Sequence, residues 1–177
     1  MFQNLRIITC LTFLLNTIFF SNLNAQNNNV NWDKIILKKD SVFWISFNNC
    51  YIDDYDNFFT NDIEFYHDAG GITVGLENLK LSTKKNICSG QFKLRRAAVK
   101  NSYKIYPLKN GNEIYGAILS GEHLFFKEVL GQKEKPEGLA KFTHLWIFKD
   151  NDWKMSRVLS YDHGPAPAID KIGGPTK

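Results

Sequence analysis

An α+β domain, with helices leading and strands following, is the fold class this sequence predicts. Three observations carry that reading. Apolar residues recur at helical spacing between Asp33 and Cys50, strand-like runs fill the chain from Leu94 to His163, and short turn signals join those runs. Strands joined by such short turns return antiparallel, because a parallel crossover needs about a dozen residues or more.

The first residues, MFQNLRIITCLTFLLNTIFFSNLNAQ, stand apart. Arg6 precedes an apolar run, Ile7 to Phe20, and a small-residue exit follows at Asn24-Ala25, the pattern of a secretory signal peptide. The run falls short of the about 20 residues a membrane span needs. Thr9 and the early position of Cys10 argue against a lipoprotein box. Cleavage after Ala25 is expected, with no stable membrane insertion afterwards, which makes the chain periplasmic or secreted. The leader holds one arginine and no acid, so 21 of the 22 Lys+Arg remain against 18 Asp+Glu, a mature net charge near +3. No Lys/Arg block alternates with aromatics, so no nucleic acid is expected as a partner. About 150 residues remain, enough for one core.

A polar lead, 26–31, comes first. Within WDKIILKKDSVFWISFNNC, Asn31 is placed to cap a helix and Asp33 suits its first turn. Ile36, Phe43 and Phe47 fall on one side, and Trp44 widens the stripe. IDDYDNFF predicts a second helix of about two turns, broken by TND. IEFYH then predicts a strand, and DAGG turns it into ITV, with Gly70 and Gly71 free to take the positive φ such a turn demands. His67 therefore ends a strand, and Asp68 opens the turn. GLENLKLSTKKNIC predicts a third helix with Leu76, Leu79 and Ile87 on one face. From there strands dominate: RRAAVKNSYKIYPLKN and EIYGAILSGEHLFFKEV across NGN, a polar loop GQKEKPEG, then LAKFTHLWIFKD and WKMSRVLSYDH across DND. The domain is expected to span 32–164, and the Pro/Gly-rich residues 165–177 to form a flexible tail.

Cys50 and Cys88 remain after cleavage. Bridged, they would close a loop worth about 3–4 kcal/mol in the chain-entropy model; unbridged, they would be two small buried apolar groups. The sequence leaves both open.

The last hairpin carries the functional signal. A two-residue turn at Asp150-Asn151 sets Phe148 against Trp153, Trp146 against Met155 and His144 against Arg157. One side of the sheet then holds Phe142, His144, Trp146 and Phe148 with Trp153, Met155, Arg157, Leu159, Tyr161 and His163. A sealed core does not accommodate such a polar end, because buried polar groups need partners. A cavity does.

The runs DSVFWISFNNC, DIEFYHDAGGITVG, YGAILSGEHLFF, FTHLWIF and WKMSRVLSYDH resemble, in order and spacing, the nuclear transport factor 2-like superfamily. Within it they are most similar to an exported bacterial branch classed as a domain of unknown function, neighbour to the SnoaL-like polyketide cyclases. The resemblance runs from about Asp33 to His163. It implies a cone of three N-terminal helices packed on a strongly curved antiparallel sheet, a pocket on the concave face, and frequent homodimers through the sheet. It also implies a family of dehydratases, isomerases and cyclases whose pockets offer an Asp or His as base with a Tyr or His beside it. The candidates for that role are His67, His123, His144, Tyr161 and His163.

Of these, His67 shares its strand face with Ile63 and Phe65. In GEH, alternation turns His123 inward with Phe125 and leaves Glu122 outside. Arg157 is placed to keep His144 neutral or to bind a substrate carboxylate. Trp44, Phe47 and Trp146 are expected to hold the body of a small organic ligand, and Asp68 joins them if the turn rotates it. For Arg95-Arg96, alternation sends one side chain inward, although a solvated strand end is the commoner outcome. No H-E-x-x-H or C-x-x-C spacing occurs, so neither metal nor cofactor is expected. Two functions remain: a ligand-binding cone acting as a lyase or isomerase by His/Tyr proton transfer, or a non-catalytic interaction module using the sheet face or cone mouth.

Overall fold

The computed structural model describes residues 31–168. The expected leader and nearly all of the polar lead lie outside the described residues, as does the tail beyond 168. Helix α1 (Trp32–Asn48) buries Ile36, Asp40, Phe43 and Ser46 on one face. Asn31 takes the N-cap position, yet its side chain makes no capping bond; its carbonyl accepts Ile35 N–H at 3.0 Å. The helix ends where Cys50 turns left-handed, with φ 58°. The expected second α-helix is a 3-10 segment, Ile52–Asn57, which buries Tyr55.

Strand β1 (Phe59–His67) runs straight through Thr60-Asn61-Asp62, where a break was expected. The register with β7 jumps there, from Phe59 opposite Met155 to Glu64 opposite Arg157, so Asn61 and Asp62 occupy an irregular stretch of the strand. Strand β2 (Gly71–Val74) returns from it, His67 opposite Gly71. Gly71 alone of the two glycines uses positive φ, 77°. Helix α2 (Leu76–Asn86) buries Leu76, Leu79 and Thr83. Cys50 and Cys88, beyond the ends of α1 and α2, form a disulfide with Cα atoms 5.9 Å apart.

The expected strand from Arg95 to Asn110 is two strands, β3 (Phe92–Ala98) and β4 (Lys104–Asn110), parted at Val99–Tyr103, where Asn101 takes φ 63°. The long β5 (Glu113–Val129) pairs β4 with its first half and β3 with its second. Strands β6 (Lys135–Lys149) and β7 (Asp152–Pro165) complete a curved seven-stranded sheet, order β2-β1-β7-β6-β5-β3 with β4 beside β5. One correction concerns direction. β1 and β7 pair parallel, His67 opposite Ser160, so the sheet is mixed. Nearly the whole domain lies between them in sequence, which is ample chain for a crossover. This pairing brings the FYHDAGG turn against the SYDH end of β7.

Two one-residue irregularities in β7 decide which side chains face inward. Pairing with β6 begins as the DND turn predicts, Phe148 with Trp153 and Trp146 with Met155. Then the register shifts: Leu145 pairs Arg157, and His144 pairs Val158. Ser156 is the extra residue of a β-bulge, and because side chains alternate with period two, everything after it changes face. A second shift, between Leu139 and Lys141, coincides with Asp162 at φ 59° and changes the face back before His163.

The core gathers Ile36, Phe43, Tyr55, Phe59, Ile63, Trp146 and Met155 between α1 and the sheet. Each such side chain contributes about 1.5–3 kcal/mol on full burial. Among the described residues no helix is long and apolar enough to cross a membrane.

Candidate functional site

The hollow of the sheet, roofed by α1 and α2, holds a cavity of about 520 Å³. Phe43, Trp44, Phe47, Phe59, Phe142 and Leu79 give it apolar walls, and all four histidines line it with Arg96 and Ser160. Aromatic rings step from its floor to its mouth. Trp44 stacks near His144 (5.9 Å between centroids), Phe142 against His123 (5.5 Å), Phe125 against His163 (5.9 Å), and His163 on His67 (4.2 Å).

At the floor, Asp40 and His144 are each about 1% exposed. Asp40 sits one helical turn from Ile36 on the buried stripe of α1. Its Oδ1 accepts from His144 Nδ1 at 2.9 Å, and its Oδ2 from Trp44 Nε1 at 3.0 Å and Tyr103 O–H at 3.3 Å. A carboxylate surrounded by three donors holds the proton of His144 on Nδ1. His144 Nε2 is left as a lone-pair acceptor, buried and without a hydrogen-bond partner among the described residues. Burial lowers the pKa of His144, against the pull of Asp40. The imidazole is therefore neutral near pH 7, in the form that can take a proton. Burial and Asp40 together raise Tyr103, which keeps its phenolic proton.

One step up the wall, Arg96 is 3% exposed and His123 2%. Arg96 pairs across the ladder with Phe125, and Ala98 with His123, so the two polar side chains meet diagonally on the inner face. Arg96 Nε donates to His123 Nδ1. That bond demands a bare Nδ1, so His123 carries its proton on Nε2, the opposite tautomer to His144. Burial first, then the Arg96 charge, lowers His123 and keeps it neutral. Burial brings Arg96 down to about 9, with Asp40 opposing, which still leaves it charged at neutral pH. The guanidinium lies over the Trp44 ring and 4.6 Å from the Phe142 centroid. Its two terminal nitrogens and His123 Nε2 have no partner among the described residues.

At the mouth, the β1–β2 turn rotates Asp68 onto β7. Asp68 Oδ2 accepts His163 N–H at 3.1 Å, and Oδ1 accepts from His163 Nδ1 at 2.5 Å. The His163 backbone N–H is the leading cause that holds Asp68 below the usual carboxylate range. His163 Nε2 lies 3.3 Å from Ser160 Oγ. His67 Nδ1 accepts from Ala69 and Gly70 N–H at 3.1 and 3.0 Å, so it carries no proton, and the 3.4 Å approach of Asp68 to it is not an ion pair. Burial, then His163, lowers the pKa of His67. His67, Asp68 and His163 place ligand atoms within 4.8 Å of one another, a spacing that could hold a metal. The stacked rings, only 16° from parallel, set their nitrogens side by side, and His67 Nδ1 is already occupied. Asp68 and His163 are joined by hydrogen bonds, and His67 meets His163 by stacking.

Three of the expected site residues lie elsewhere. The Ser156 bulge turns Arg157 outward, where its Nε meets Glu64 at 3.0 Å. The same shift leaves Tyr161 38% exposed and near the Thr143 hydroxyl. Trp146 faces inward but belongs to the sealed core, at 0% exposure. Trp44 and Phe47 line the cavity, and Asp68 reaches it through His163. Asp40 and Tyr103 went unremarked. Asp40 had a signal, an acid in the middle of an apolar helical stripe.

No protein-family model matches the sequence, and no curated protein does. Solved structures match in backbone. A nuclear transport factor 2-like superfamily protein from Salmonella enterica subsp. enterica serovar Typhimurium str. LT2 aligns with TM-score 0.63 at 12% identity, over 78% of this chain and 94% of that one. LinA aligns at 0.61 and 16% identity, over 79% and 92%. ActVI-ORFA from Streptomyces coelicolor aligns at 0.63 and 10%, over 75% and 97%. With the curved mixed sheet, the roofing helices and the hollow between them, these alignments show that the chain has the nuclear transport factor 2-like fold.

Proposed function

We propose that this chain binds a small organic molecule in the cavity and moves a proton on it, as a lyase or isomerase. One observation carries the reading: Asp40 and Arg96 fix opposite tautomers on two buried imidazoles that line the same cavity, each packed against Phe142. His144 Nε2 is then a base and His123 Nε2–H a donor, in one apolar chamber. In the reaction, His144 Nε2 takes a proton from a carbon beside a carbonyl. The electron pair moves onto the carbonyl oxygen, which His123 Nε2–H stabilises. Collapse returns the proton to a different carbon, or expels a leaving group that departs with the electron pair and that proton. The imidazolium formed at His144 rests against Asp40 throughout.

A volume of about 520 Å³ fits a small-molecule site. A hollow plugged by Phe and Trp side chains would have favoured the interaction module. The partner histidine takes the place expected of Tyr161. The expected leader supports export to the periplasm or beyond, and so does the disulfide, since such bonds persist in oxidising compartments.

The test is proton exchange in D2O on a panel of small ketones and keto acids, followed by NMR, beside a thermal-shift screen. Exchange should exceed the protein-free rate by about a hundredfold or more and vanish in His144→Ala. A panel that gives neither exchange nor stabilisation would end the proposal.

A further inference from the structure

We infer that the cavity's ligand is a carboxylic acid with an apolar or aromatic body, held by its carboxylate on the terminal nitrogens of Arg96. The inference rests on the small-molecule reading above and names the class of molecule. Three observations converge on it. First, Arg96 is nearly fully buried, and both terminal nitrogens lack a partner among the described residues. Buried donors left open are rare, because each has given up its hydrogen bonds to water without replacement. Second, no carboxylate reaches ion-pair distance of that guanidinium among the described residues. Asp40, its nearest opposing charge, spends both oxygens on His144, Trp44 and Tyr103. Third, Nε is already committed to His123, which leaves the guanidinium one free end with two parallel N–H groups.

That end matches a carboxylate, whose two oxygens accept a pair of parallel bonds in one plane. The guanidinium carbon lies over the Trp44 ring and 4.6 Å from the Phe142 centroid, so aromatic rings pack against it while its terminal N–H groups stay unpaired among the described residues. A carboxylate meets both groups at once and leaves the rest of an organic acid free to enter the apolar cavity. The rest of the cavity, walled by Phe43, Phe47 and Phe59, receives the apolar body. Arg96 therefore does two jobs: it sets the tautomer of His123 and it anchors the ligand. The body then lies along the ring ladder, with His144 on one side of the anchor and the mouth histidines on the other.

The experiment compares acids with their amides, which share shape and lose the charge. Phenylacetate against phenylacetamide and hexanoate against hexanamide are titrated by calorimetry and by Trp44 fluorescence at pH 7.5. Each acid should bind about tenfold or more tighter than its amide, the ratio that one charge-assisted bond supports. In Arg96→Gln that ratio should fall to about one. If Arg96→Gln does not fold, the wild-type ratio decides alone. Amides binding as tightly as acids would overturn the carboxylate assignment and leave the cavity reading standing. No binding by any of the four probes would overturn both.

Discussion

Replacing Asp40 with asparagine changes one oxygen for an amide group at nearly constant shape, and the consequences can be worked through atom by atom. Oδ2 takes two donors, Trp44 Nε1 and Tyr103 O–H, while Oδ1 takes only His144 Nδ1. Asn therefore keeps its oxygen on the two-donor side and turns its NH2 toward His144. Nδ1 must now accept, so the proton moves to Nε2. The base becomes a donor without any ring having moved. Three charge-assisted bonds become neutral ones, each weaker by about 1 kcal/mol. Arg96 also loses its nearest opposing charge, while the relief of burying a carboxylate offsets part of the loss. The net expectation is a stability loss of about 2–3 kcal/mol by urea unfolding, followed through tryptophan fluorescence. Proton-transfer activity should fall by about 10⁴-fold, as it does when a tautomer is reversed in a Ser-His-Asp triad. Long-range ¹H–¹⁵N spectra of the imidazole rings report the tautomer directly. If His144 of Asp40→Asn still carries its proton on Nδ1, or stability moves by less than about 0.5 kcal/mol, the dyad does not work as described.

Other outcomes follow from the same contacts. His123 and His144 have folded pKa values depressed by burial, so below their unfolded value of about 6.5 the unfolded chain takes up protons that the fold refuses. Stability should therefore fall as the pH drops through about 6.5 toward 5, by at most about 1.4 kcal/mol per pH unit for each ring; urea midpoints equal at pH 7.5 and 5.5 would contradict this. Removing the Cys50–Cys88 bridge, which spans 38 residues, with Cys50→Ser/Cys88→Ser should cost about 4 kcal/mol in the chain-entropy model; a loss below about 1 kcal/mol would mean the helix ends stay ordered without it. At Gly121 an added Cβ would lie 2.6 Å from Tyr103 Cδ1 and 3.0 Å from Phe142, so Gly121→Ala should destabilise by about 1–3 kcal/mol, and an unchanged melting temperature would show that Tyr103 yields freely. Arg157→Ala should change stability by no more than about 1 kcal/mol and leave phenylacetate binding unaltered. Weakened binding would return that side chain to the cavity.

The fold was readable because its signals are local and repeated. The stripe of Ile36, Phe43 and Phe47 gives α1, and Asp150-Asn151 gives the first four pairs of the β6–β7 hairpin. The inner face was readable only as far as Met155. Ser156 carries no glycine or proline to announce a bulge, so a register counted from the turn runs one residue out and sends Arg157 and Tyr161 to the wrong side. His163 was placed correctly because a second shift at Asp162 undoes the first. The parallel join of β1 to β7, which assembles Asp68, His163 and His67, is a long-range event with no sequence signature. Asp40 was legible in principle, since a charge on an apolar helical stripe must be paired. Arg96 shows the limit of alternation: it says that one of two adjacent arginines faces inward, and only the neighbours on β5 settle which.

The two compensating shifts in β7 leave six residues, 157–162, hanging in opposite phase to the rest of their strand. Deleting Ser156 would remove the extra residue and leave every later pair as it is, with Val158 and Ser160 still under the roof and the Tyr161 phenol still outside. A protein built this way can lose or gain a residue at that point by a single-codon change and keep the same wall chemistry. Its pocket is thus buffered against one-residue changes of length in that strand.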